Sequence, residues 1–101
     1  MFGFNKMVIE LKKIGTTLIS RQTGKEAFLA IQPILQNIKA GEKLEINFDG
    51  VITFSPSWGA EFLMPLFRKY GQNLILKNTY NGSVQSTLEF LEQIENVKFK
   101  I

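Results

Sequence analysis

The sequence has no cysteine and no histidine among its 101 residues. Without cysteine there is no disulfide and no thiol nucleophile. Without histidine the commonest metal ligand and the commonest general base are both missing. No run approaches the roughly 20 consecutive apolar residues that a membrane span needs. The opening MFGFNKM has neither the charged start nor the long apolar centre of a signal peptide, so the chain reads as cytoplasmic. Phosphate-cradling patterns such as Gly-x-x-x-x-Gly-Lys-Ser/Thr and Gly-x-Gly-x-x-Gly do not occur, and no acidic cluster has metal-ligand spacing. No cofactor or metal is expected, and most enzyme classes fall away with those residues.

What the chain does have is apolar content. Hydrophobic residues make up 45% of it, enough for one compact domain over residues 1–101. A chain of this length buries roughly 60–65% of its unfolded surface, and a second domain would not fit. The formal charge is +3. Lys6, Lys12, Lys13, Arg21 and Lys25 gather in the first quarter, which reads as a mildly basic solvated surface, with a nucleic-acid-associated domain as the alternative. Lys98 and Lys100 alternate along the last apolar segment, as solvent-facing lysines on an edge strand do to discourage sheet-to-sheet association.

Periodicity sets out the architecture. MVIEL (Met7 to Leu11) alternates like a strand. From about Thr23, the residues Phe28, Ile31, Leu35 and Ile38 form one helical stripe that Gly41 closes, and Pro33 is placed to kink or split it. KLEINF reads as a strand, extended or bulged through Asp49-Gly50 into VITF. A second helix should start with Ser55 as N-cap and Pro56 at the first helical position, burying Phe62, Leu66 or Phe67, and Tyr70, with Pro65 as an interruption. NLILKN reads as a strand covered on both faces. Val84, Leu88, Leu91 and Ile94 form a third helical stripe, and VKFKI is a closing strand. The order β-α-β-α-β-α-β predicts an α/β domain with a mostly parallel four-stranded sheet and three helices.

In such sheets, functional groups gather at loops leaving the carboxyl ends of strands. Two loops qualify, TFSPSW and NTYNGS. The first imitates a Gly-x-Ser-x-Gly nucleophile elbow only at Gly59, and no histidine exists to take the serine proton, so a non-enzymatic role is expected. Ser55 caps the helix, Ser57 lies in its first turn, and Glu61 suits the positive end of the helix dipole. Trp58, the lone tryptophan, is either a core plug or an exposed anchor. Asn78 and Asn81 are turn formers or binding groups, with Asn81-Gly82 suited to positive backbone dihedrals.

Three stretches, IGTTLISRQTGKEAF, LEINFDGVITFSPSWGAEF and LILKNTYNGSVQSTLEFL, together resemble the small STAS-like family of bacterial proteins, distant relatives of the anti-sigma factor antagonists. The resemblance runs from about Met7 to about Val97. Its carriers are Phe-Asp-Gly-Val, the serine loop followed by an aromatic, a small residue and Glu, and the later Asn-containing loop. It implies a protein-binding regulatory domain in signalling, whose partner is a GHKL-type ATPase/kinase or an anti-sigma-like regulator. The surface it implies is residues 54–62 with Asp49, Ser55, Ser57, Trp58, Glu61 and Asn78.

In the better-known antagonists the corresponding loop reads Asp-Ser-Ser-Gly, and phosphorylation of its first serine breaks the complex. A phosphate adds about −1.5 to −2 charges that an interface would have to desolvate. Aligned on Gly50-Val51, Ser55 falls on the family's Asp, Pro56 on the phosphorylated serine, Ser57 on the second serine and Trp58 on the glycine. Proline has no hydroxyl to modify, and a shift of one residue makes Ser57 or Ser55 the acceptor. Besides the nucleic-acid reading, a homo-oligomeric scaffold joined by an edge strand or a helix face is the other alternative.

Overall fold

The computed structural model describes residues 6–101. The opening MFGFN, and with it the signal-peptide reading and the first part of the 1–101 domain, lies outside the described residues. Three parallel strands, β1 (Lys6–Glu10), β3 (Lys43–Asn47) and β5 (Leu74–Lys77), form a sheet in the order β1-β3-β5. A separate parallel pair joins β2 (Thr17–Leu18) to β4 (Thr53–Phe54). The helices are α1 (Arg21–Ala30), α2 (Gln32–Leu35), α3 (Pro56–Tyr70) and α4 (Gly82–Glu95). The domain is therefore α/β and its strand pairing is parallel, but the sheet is divided three and two instead of being one sheet of four.

Two local causes account for the difference. At the end of β3 the chain turns, with the Val51 N–H donating to the Phe48 carbonyl at 3.0 Å and Gly50 at φ +84°, a region that disfavours side chains. VITF is thereby carried out of the main sheet and β4 pairs with β2. At the other end, VKFKI makes a single bridge between Ile75 and Lys100 in place of a full strand. The Phe99 N–H donates to the Glu92 carboxylate at 2.9 Å, and the Phe99 ring packs edge-on against Phe67 at 5.4 Å. Those contacts tie the segment to the helices before it reaches β5.

The register places Ile9, Leu44, Ile46, Leu74 and Leu76 on one face of the sheet, all buried. The opposite face carries Lys6, Val8 and Lys77, all exposed, with Ile75 half-buried. β5 is thus buried on one face only, contrary to the two-sided cover expected from its apolar run. The helical expectations fare better. Pro33 lies in the first turn of α2 and splits the first helix, and Ala27, Ile31 and Leu35 face the core. That helix ends near Gln36, so Gly41, at φ +85°, serves the turn before β3 and not a helix end. α3 begins as expected at Pro56 after Ser55 and runs through Pro65, burying Trp58, Phe62, Leu63, Met64 and Leu66. In α4, Val84, Leu88 and Leu91 are buried, whereas Ile94 is 58% exposed and leaves the expected stripe. Among the described residues no helix is long and apolar enough to cross a membrane.

Candidate functional site

The first turn of α3 is built on two uses of one hydroxyl. Ser55 Oγ accepts the Trp58 N–H at 3.1 Å, satisfying a helix-end donor, and donates to the Ile19 carbonyl at 2.5 Å. The Ser55 N–H adds a bond to the Leu18 carbonyl at 2.9 Å. Ser55 therefore fastens α3 to the segment between β2 and α1, and its only proton is engaged there. Ser57, one residue into the helix, is half-buried and makes no side-chain hydrogen bond among the described residues.

Trp58 is 1% exposed. It belongs to a row of rings, Phe48 to Phe54 at 5.1 Å, Phe54 to Trp58 at 6.0 Å and Trp58 to Phe62 at 4.7 Å. Of its two readings the structure gives the core plug, so it does not present a ring to a partner. Glu61 accepts from Arg21 Nη1 at 2.7 Å, joining α3 to α1. Gly24 and Gly59 let the backbones and rings close in: a Cβ at Gly59 would meet Leu91 Cδ1 at 2.8 Å and Phe54 Cζ at 3.0 Å.

Asp49 and Asn78 form a second group. Asn47 Oδ1 accepts both the Asp49 N–H at 2.9 Å and the Asn78 side-chain amide at 2.8 Å, and Lys12 Nζ lies 3.3 Å from Asp49 Oδ2. The left-handed residue of the later loop is Asn78, at φ 57°, not Asn81, which is extended at φ −63° and caps α4 through the Val84 N–H at 3.1 Å. No hydrogen bond or ion pair joins this group to Ser55, Ser57, Trp58 and Glu61 among the described residues. The expected site is thus two clusters, one at the carboxyl ends of β3 and β5 and one at the start of α3.

The sequence reading missed the neighbours of Ser57. Phe90 and Ile94 on α4 are 46% and 58% exposed. With Pro56, Ser57 and Ala60 of α3 they line an open groove of about 370 Å³, which Arg21 and Glu95 also border. The signal was present as Ile94's place at the end of an apolar stripe, where the helix has outrun the core. A second missed pair holds the loop itself. Ser83 Oγ accepts the Phe54 N–H at 3.0 Å, and the Phe54 carbonyl accepts from Thr87 Oγ1 at 2.5 Å, so α4 supplies the hydrogen bonds that a neighbouring strand would give β4.

The basic first quarter is largely compensated: Lys6 pairs with Glu45, Lys12 with Glu10 and Asp49, Lys13 with Glu10, and Arg21 with Glu61. Among the described residues no group of three or more Cys, His, Asp or Glu is placed to hold a metal, and every buried side-chain N or O has a hydrogen-bond partner. The chain matches no family model, no curated protein and no solved structure.

Proposed function

We propose that this chain is a non-enzymatic, protein-binding regulatory domain that takes its partner on the start of α3 and the adjoining face of α4. The observation that carries the reading is the pair Phe90 and Ile94, large apolar side chains left in solvent beside Ser57 on the loop where the resemblance to STAS-like domains directs a partner. Contact residues are Pro56, Ser57, Ala60, Phe90 and Ile94, with Arg21 and Glu95 as the charged border and Glu61 holding Arg21 in place. Asp49 and Asn78 extend the surface to a partner broad enough to reach the second cluster. Trp58 acts from beneath by fixing the first turn. The partner class is a GHKL-type ATPase/kinase or anti-sigma-like regulator. Ser57 is the better phosphate acceptor, because the Ser55 proton is held by Ile19. A phosphate on Ser57 would introduce charge beside Phe90 and Ile94 and oppose an apolar interface.

The test is binding to GHKL-type ATPases from the source cell, measured for wild type, Phe90→Ala and Ile94→Ala. Both variants leave the fold intact and lose at least about tenfold in affinity if the groove is the contact. Unchanged affinity would remove this surface. Incubation with the bound ATPase and ATP, followed by peptide mass analysis, should place a phosphate on Ser57. Its absence would remove the switch while leaving the binding reading standing.

The compensated charge of the first quarter favours this reading over nucleic acid, since ion-paired lysines release few counterions from a phosphate backbone.

A further inference from the structure

Strand β1 is an edge of the described sheet: β3 pairs one side of it, and no described strand pairs the other. Such an edge leaves backbone donors and acceptors unpaired at alternate residues and is a template for another strand. The far side of the sheet is blunted, because Lys100 bridges β5 in parallel at Ile75 and its segment carries exposed lysines there. β1 has no such cover among the described residues. Instead, apolar side chains flank it: Val8 is 43% exposed, Ile14 42% and Ile34 41%. These three, with Ile9 and Ile31, line one open hollow of about 270 Å³ beside the strand.

The edge sequence Lys6-Met7-Val8-Ile9-Glu10 is complementary to itself when reversed. Laid antiparallel to a second copy about a two-fold axis through Val8, it sets Lys6 opposite Glu10 of the other copy at both ends, Met7 opposite Ile9 on the core face and Val8 opposite Val8 on the outer face. Opposite charges and apolar pairs directly across a ladder are the stabilising combinations, and like charges the destabilising ones. A parallel alignment in the same register would set Lys6 on Lys6 and Glu10 on Glu10, and it could not close by a two-fold axis.

We infer that β1 is a self-association edge, where two copies add their β1 strands antiparallel and continue one sheet through both chains. To make this pairing Glu10 exchanges only exposed contacts of 3.7 Å to Lys12 and 3.6 Å to Lys13, which hold it weakly. Lys6 sits between its own Glu45, at 3.1 Å, and Glu10 of the second copy. Ile14 and Ile34 of both chains close over the junction and lose their exposure. A five-residue strand pair is at the small end of stable interfaces, so the dimer forms with concentration and is not obligate. The inference is independent of the partner groove on α3 and α4.

The experiment is sedimentation velocity on the full chain from about 1 μM to about 1 mM, a range that spans weak to moderate association. Wild type should pass from monomer to dimer. Val8→Lys places two like charges on the axis at an already exposed position and should raise the dissociation constant at least about tenfold. Glu10→Lys and Lys6→Glu should each be monomeric alone, because each faces its own sign across the axis. An equimolar mixture of the two should regain the dimer, since the antiparallel register then sets every positive end against a negative one. Circular dichroism checks that each variant is folded. If Lys6→Glu does not fold beside Glu45, Val8→Lys and Glu10→Lys carry the test. Wild type that stays monomeric throughout, a dimer indifferent to Val8→Lys, or folded charge variants whose mixture fails to associate would each overturn the inference.

Discussion

Gly24 of α1 lies directly against the main chain of Trp58 in α3: a side-chain carbon at position 24 would come within 2.7 Å of the Trp58 carbonyl oxygen and 3.0 Å of its Cα. The neighbour is backbone, which cannot swing aside. Gly24→Ala should therefore destabilise the protein by about 1–3 kcal/mol, despite the roughly 1 kcal/mol that alanine gains over glycine as a helix former. Gly82→Ala is the contrasting case, with no atom within 4 Å of the added carbon, and it should be neutral or stabilising by about 0.4–1 kcal/mol. Urea denaturation of both variants checks the pair.

Ser55 combines a helix cap with a tertiary bond, and the two can be separated. Ser55→Ala removes both and should cost about 1–2 kcal/mol. Ser55→Asp keeps an acceptor for the Trp58 N–H but sets a carboxylate where a hydroxyl proton meets the Ile19 carbonyl. It should recover little or nothing of the loss. Ser57→Ala, two positions on, should stay within about 0.5 kcal/mol of wild type. Equilibrium denaturation of the three variants shows whether the order holds.

How much of this could be read from residues alone differs between helices and sheet. Ser55 and Pro56 announced the start of α3 because capping is a short-range bond between neighbours in sequence. Pro33 announced the break before α2 for the same reason. The destination of VITF was not legible, since pairing with Thr17–Leu18 depends on a turn at Gly50 and on a strand of two residues that has no period to detect. Trp58 left both its readings open because burial at the first turn of a helix depends on what crosses it, and the crossing element, Gly24, is distant in sequence. Asp49, read as part of a strand continuing into VITF, and Asn78 were grouped with the serines, whereas both bond to Asn47 and form a cluster of their own. Phe90 passed unremarked, because an aromatic on a helix is exposed or buried according to neighbours that periodicity alone does not supply.

The Phe54 peptide gives a test of non-additivity. Ser83 and Thr87 both hold it, and the Phe54 carbonyl lies 3.3 Å from Ser83 Oγ as well as within reach of Thr87. Thr87→Val keeps the shape and removes one donor, leaving Ser83 to compensate, so the cost should be about 1 kcal/mol. Ser83→Ala together with Thr87→Val leaves the carbonyl without a partner and the N–H orphaned. The double variant should then lose more than the sum of the singles, by about 0.5 kcal/mol or more. Guanidinium titrations of the four chains close the cycle.

Trp58 is the natural residue to mutate when probing the α3 surface, and its burial makes the result predictable and misleading. Trp58→Ala should cost about 3–5 kcal/mol, a large part of the stability of a domain this size. Any partner would be lost with the fold. Phe90→Ala and Ile94→Ala, at exposed positions, should stay within about 0.5 kcal/mol of wild type. Fluorescence distinguishes the two situations, because Trp58 is the chain's lone tryptophan and is 1% exposed. In folded wild type, Phe90→Ala and Ile94→Ala its emission should be blue-shifted and nearly insensitive to iodide, and it should become quenchable only on unfolding. Strong iodide quenching in the native protein would mean that the ring is presented to solvent, and Trp58 would return as a candidate anchor. With the ring shielded, loss of binding in Phe90→Ala or Ile94→Ala reports on the groove alone, because the first turn of α3 beneath it has not moved.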